Sequence, residues 1–254
     1  MSLMSETWSA RYDRYLEART SGNASRWREL EADLQRDFAH SQLSESDVDW
    51  LTGALADSNG KWFVEFVLRH SPRLVAAPLF DPLIQAAVYE RNPSSNRAFV
   101  EPCVRSTGWQ RTAQALLVYL RDGTDFEKAG AVNALYHTFA FRSRDPLYLK
   151  DRVPDPAESE GESPSDTGAR FHRLVLEEFV RNPDVGVRRS AVTWLRDAND
   201  YPPDLRGLAR EARRIALSHP DEYIHERAEI KWGDQHGEKV QFSALPHRSP
   251  PADE

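Results

Sequence analysis

Apolar residues recur along this chain at helical spacing and almost nowhere alternate as they do in strands. Trp8, Tyr12, Tyr15 and Leu16 share one helical face. Trp27, Leu30, Leu34 and Phe38 share another, with Ser25 expected as its N-cap and a turn at Gly22 between the two. Val48, Leu51 and Leu55 follow, then a break at Asn59-Gly60, then Trp62, Phe63, Phe66 and Val67. These runs predict two helical pairs.

Asp81-Pro82 reads as an N-cap followed by proline at the first helical position, where its missing N–H costs nothing. Leu83, Ile84, Ala87 and Val88 continue that helix, and Asn92-Pro93 ends it. The next helix carries Phe99, Val100, Cys103 and Val104, with Pro102 predicting a kink or a late start. Thr107 is expected to cap a helix with the face Trp109, Ala113, Leu116, Leu117 and Leu120, stopped by Gly123. Thr124 opens another through Ala129, Val132, Leu135 and Phe139. Beyond residue 168 come two further pairs, marked by Phe171, Leu174, Val175, Phe179, Val187, Ala191 and Leu195, then by Leu205, Leu208, Ala212, Ile215, Tyr223, Ile224 and Ala228.

Composition changes between residues 143 and 168. From Val153 to Gly168 there are five acidic residues, no basic ones, and repeated Pro, Ser and Gly. Such a stretch buries too little apolar surface to offset the entropy of ordering it, so a disordered acidic insertion is expected. The resulting organisation is N-terminal helical pairs over 1–142, the insertion over 143–168, C-terminal pairs over 169–233 and a Pro-containing tail over 234–254.

One piece of grammar recurs. The apolar end of a helix leads into Asn182-Pro183-Asp184, and again into His219-Pro220-Asp221, with the prolines 37 residues apart. That period belongs to stacked helical pairs. In the first copy Asp184, Val187-Arg188, Ala191 and Leu195 resemble the HEAT-repeat family, whose second helix opens with Asp, a Val-Arg pair, a small residue and an apolar one. Asp125, Lys128, Ala129, Val132 and Leu135 echo it more weakly. The resemblance implies an all-α, right-handed α-solenoid of about six antiparallel helix pairs, HEAT-like or armadillo-type, with a curved surface for a partner. It implies no reaction, because function lives in sites added to a fold.

The net charge of −7, with a pI near 5.7, speaks against a general nucleic-acid binder, and the stretch from Val153 to Gly168 accounts for five of those charges. A mean hydropathy of −0.66 and the lack of a long apolar run argue against a membrane span. A lone cysteine, Cys103, reads as a small buried hydrophobe and leaves no disulfide framework or cysteine-rich zinc site. With no signal-like N-terminal segment, a cytoplasmic location is expected.

The chemical candidates are few. His225-Glu226-Arg227-Ala228-Glu229 lacks the second histidine of a zinc-protease helix, so no metal and no cofactor are expected. His219 is assigned to an interhelical turn, and His225 to a solvated face. Ten Arg against seven acids between Ala169 and Arg214 form the one basic region, read as internal pairing with Arg188 laddering to Asp184 or its neighbour, with a groove for an anionic partner, or the acidic insertion folding back on it, as the alternatives. Of the seven Trp, Trp8, Trp50 and Trp232 are the candidates for exposed anchors.

The expected function is a non-enzymatic scaffold that holds a protein partner on its second helices. The contacts would be Arg189, Thr193 and Arg196 in one pair and Asn133 and His137 in the preceding one. The alternatives are a HEAT-like DNA glycosylase acting on alkylated bases, to be discriminated by gel shift at about 50 mM salt, and a bacterial immunity or regulatory protein.

Overall fold

The computed structural model describes residues 6–40, 43–69, 77–142 and 164–233. Its regular elements are α1 (Trp8–Thr20), α2 (Ala24–His40), α3 (Glu45–Ala56), α4 (Gly60–Leu68), α5 (Ala77–Tyr89), α6 (Arg97–Thr107), α7 (Trp109–Asp122), α8 (Asp125–Arg142), α9 (Pro164–Arg181), α10 (Val185–Val192), α11 (Arg206–Leu217) and α12 (Glu222–Trp232). A 3-10 turn spans Ala198–Asp200, and no strand occurs among the described residues. The fold is all-α.

Six consecutive pairs are in contact, from α1 with α2 through to α11 with α12. Between pairs the contacts run in two rows. The first row is α1, α3, α5, α8, α10 and α12; the second is α2, α4, α6, α7, α9 and α11. The order inverts at α6 and α7, which lie side by side, so the second helices of the first three pairs and of the last three sit in opposite rows. The cause is local. Gly108 alone joins α6 to α7, at φ +84°, a left-handed conformation that glycine adopts without steric cost.

In row one, α5 and α8 approach closely at Gly130. A Cβ placed on Gly130 would stand 1.9 Å from the carbonyl oxygen of Val88, so glycine sets that approach. A single hydrophobic cluster runs from Trp8 to Trp232. At its N-terminal end Trp8, Tyr12, Tyr15, Trp27, Trp50, Phe63 and Phe66 interlock with ring centroids 5.2–6.3 Å apart, each such pair adding about 0.5–1.5 kcal/mol beyond area burial. Trp8 and Trp232 are buried and Trp50 is partly buried against this cluster, so none of the three is an exposed anchor.

Several helix starts differ from expectation. Asn23, not Ser25, caps α2, its Oδ1 accepting from the N–H groups of Ser25 and Arg26 at 3.1 Å. Thr107 turns its hydroxyl back to the Cys103 carbonyl, 3.1 Å away, and caps nothing. Helix α5 begins at Ala77, a turn before Asp81-Pro82, because the extra turn buries Leu79 and Phe80. Helix α6 begins at Arg97 and runs through Pro102, so the late start does not occur.

Residues 143–163 of the expected insertion and the tail 234–254 lie outside the described residues. Residues 164–168, assigned to the insertion, instead open α9, where Thr167 is fully buried. No helix among the described residues is long and apolar enough to cross a membrane.

Candidate interaction surface

The N-terminal ends of α8, α10 and α12 line up along one edge of row one, held there by their own caps. Asp184 accepts from the Val187 N–H at 2.9 Å and donates its own N–H to Asn182 Oδ1, also at 2.9 Å. Asn182 Nδ2 then donates to Asp125 at 2.6 Å, which ties the start of α10 to the start of α8. On the other side, Arg189 forks onto both oxygens of Asp221 at 2.6–3.2 Å. Asp221 in turn caps α12 by accepting from the Ile224 N–H at 3.2 Å. The Arg189 guanidinium, then the Ile224 N–H, hold the Asp221 carboxyl below the usual range.

The C-terminal end of α5 joins the same edge. Tyr89 donates its hydroxyl to Glu127 of α8 at 2.6 Å, and its ring lies 5.7 Å from that of Phe126. The Tyr89 hydroxyl, with the Thr124 N–H and hydroxyl, keeps the Glu127 carboxyl below its ordinary pKa.

Beside that edge, each of four successive row-one helices turns a large apolar side chain outward, Tyr89 (47% exposed), Phe126 (48%), Val185 (41%) and Tyr223 (37%), while Tyr136 and Ile230 are exposed further along α8 and α12. Scattered exposed apolar residues are ordinary, but a ridge of them along one edge is a candidate docking surface. Sequence reasoning missed it. Tyr223 was grouped with the inward face of α12, yet only Ile224 and Ala228 point inward. Phe126 falls outside the Ala129–Val132–Leu135 face, and that displacement is the signal a reader of the sequence could have used.

The expected contact residues do not form one free surface. Arg189 is committed to Asp221, Thr193 bonds back to the Ser190 carbonyl at 3.3 Å, and Arg196 donates to His172 Nε2. His137 Nε2 meets the Pro93 carbonyl at 2.8 Å, fastening α8 to the loop before α6, and Asn133 is half-buried beside it on α8. The repeat residues do lie where the spacing placed them: Val187, Ala191 and Leu195 are buried and Asp184 caps the helix. Arg188 does not ladder to Asp184. Its Nε donates to the Phe179 carbonyl at 3.1 Å, satisfying an orphan acceptor at the end of α9, and its guanidinium lies 5.9 Å from the Phe179 ring. The ladder is made by Arg189, one position later.

Most of the rest of the arginine strip is engaged in the same internal way. Arg181 pairs with Glu177 and Arg214 with Glu211, while Arg206 donates to the Tyr201 carbonyl and Arg213 to that of Trp232. His219 is buried in its turn, Nδ1 accepting from the Asp221 N–H at 3.0 Å; burial, then Arg188, lower its pKa. His225 is partly exposed and faces Glu229 at 3.7 Å. Among the described residues no three His, Cys, Asp or Glu side chains converge to hold a metal ion. No family model, no curated protein and no solved structure matches the chain.

Proposed function

We propose that this chain is a non-enzymatic, HEAT-like helical-repeat protein of the cytoplasm that holds a protein partner against the edge formed by α5, α8, α10 and α12. The observation that carries the reading is the ridge of Tyr89, Phe126, Val185 and Tyr223 on four neighbouring helices. Apolar anchors set among capped helix ends offer a partner desolvation energy without any catalytic group. The stacking of helix pairs expected from the repeat is supported by the two rows of helices and by Arg189 linking one unit to the cap of the next, while the inversion at α6 and α7 divides the stack into two halves of three pairs.

The glycosylase alternative needs a cationic face for nucleic acid. Apart from Arg196 and Arg210, the arginine strip is spent on internal carboxylates and carbonyls, which weighs against it.

The test places a photo-crosslinking amino acid at residue 126 or 223 in cells that make the chain natively, with Val118, exposed on row two, as the control position. Discrete protein adducts from 126 and 223, lost on Tyr89→Ser together with Val185→Ser, are expected. Equal adduct patterns from 118 and 126 would remove the ridge as the binding surface.

A further inference from the structure

At the opposite end of row one, a pocket of about 770 Å³ opens between the N-terminal half of α9, the end of α10 and residues 200–205. One wall is aromatic, made by Phe139, Trp194 and Tyr201. These rings are braced from behind, with Trp194 edge-on to Phe171 at 4.8 Å and Phe139 5.0 Å from Phe171.

The other wall carries charge of both signs, Arg170, Arg173 and Arg196 together with Asp166 and Asp200. Arg173 answers to Asp204 at 2.7 Å. Arg196 has no carboxylate in ion-pair contact; its guanidinium faces the imidazole of His172, whose ring lies 6.0 Å from Trp194. Lys231, which is exposed and has Asp197 and Asp200 near its charge, spends its ammonium on the Leu195 carbonyl. The imidazole cannot offset the Arg196 charge. It remains neutral, pushed down to about 4 by burial and then by Arg196 and Lys231, and its Nδ1 is buried without a partner. Arg196 thus meets a neutral ring beside an aromatic wall.

We infer that this pocket binds a small organic anion with a flat ring, the ring lying on Trp194 and Phe139 and the anionic group taken by the Arg196 guanidinium. A guanidinium is suited to both carboxylate and phosphate, which it grips through two N–H groups. The volume is in the range of pockets that enclose ligands of that size. The inference stands apart from the ridge, at the other end of the same helices.

Calorimetric titration of the full chain tests it with two families of probe: aromatic carboxylates such as benzoate and indole-3-carboxylate, and the 5′-nucleoside monophosphates. Inorganic phosphate and the neutral counterparts, benzamide and the free nucleosides, serve as controls. At least one ring-bearing anion should bind with a Kd below about 1 mM, roughly tenfold or more tighter than its neutral counterpart and than phosphate. Binding should weaken about tenfold or more in Arg196→Gln, the loss of one charge-assisted hydrogen bond. It should be unchanged in Arg210→Gln. Which family binds identifies the source of the anion. The Arg196 side chain is exposed, and a thermal melt of Arg196→Gln checks that the variant is folded. Three results would each overturn the inference: no saturable binding by any ring-bearing anion, equal binding of phosphate alone, or affinity indifferent to Arg196→Gln in the folded variant. None of them bears on crosslinking at residue 126.

Discussion

Gly130→Ala and Gly53→Ala are chemically the same change in two helix interiors, and the structure assigns them opposite signs. At Gly130 the new methyl would meet the Val88 carbonyl oxygen at 1.9 Å and the carbonyl carbon at 2.9 Å. A carbon and a carbonyl oxygen rest about 3.3–3.6 Å apart, so α5 and α8 would have to separate by more than about 1 Å. The obstacle is backbone, flanked by Ala87 and Ala131 with no exposed surface, and cannot swing away as a long side chain would. Opening a packed contact by that much forfeits about a quarter to a half of the dispersion energy across it, and overpacking of this kind costs about 1–3 kcal/mol. The gain in helix propensity returns about 1 kcal/mol at most, leaving Gly130→Ala about 1–2 kcal/mol less stable when the clash is in the upper half of that range. At Gly53, on the exposed side of α3, an added Cβ meets nothing within 4 Å. There the propensity gain stands alone, and Gly53→Ala should be about 0.5–1 kcal/mol more stable. Urea titration followed by far-UV circular dichroism reads both, as midpoint shifts in opposite directions at an unchanged m value. Two shifts of the same sign, or a Gly130→Ala midpoint at or above that of the parent, would refute the close approach of α5 and α8.

His172 is neutral in the folded protein down to about pH 4, whereas an unfolded histidine takes up its proton near 6.5. The unfolded state therefore binds more protons between those values, and the contribution of His172 to stability is complete above pH 6.5 and lost as pH falls towards 4. After solvent screening this amounts to about 1–2 kcal/mol, measurable as a steeper acid-side decline in the parent than in His172→Gln; parallel declines would contradict it. Cys103 is buried, and burial pushes its thiol up, so native protein should resist a thiol reagent that labels it rapidly in denaturant. Asp184→Ala removes the acceptor of the Val187 N–H and should cost about 1 kcal/mol, with Asp184→Asn recovering most of it. Gly108→Ala forces a side chain into φ +84° at the α6–α7 junction and should destabilise by about 1 kcal/mol or more, read from the same urea midpoint.

What could be read from the chain alone follows from the range of the forces involved. Helical faces such as Trp8–Tyr15 and Leu116–Leu120 were legible because burial imposes a period on neighbouring residues. Caps were less so, because Asn23 and Ser25, or Thr107 and Gly108, compete for one role within two positions, and the packing of the helix decides. The inversion of the rows was hidden, since it depends on the single left-handed Gly108, whose conformation no local pattern demands. The arginines illustrate the limit best. Their charge and crowding were plain, but Arg188 and Arg189 are adjacent in sequence and do unrelated things: one closes the end of the preceding helix at Phe179, the other grips Asp221 in the next unit. That second link is itself the physical content of the repeat. Asp221 at the head of α12 caps that helix and also receives Arg189 from the preceding unit, so it serves two helices at once; at α8 Thr124 and Glu127 form the cap, and Asp125 beside them receives Asn182. The tethers draw the N-termini of α8, α10 and α12 into register, and that register aligns Phe126, Val185 and Tyr223 as one ridge.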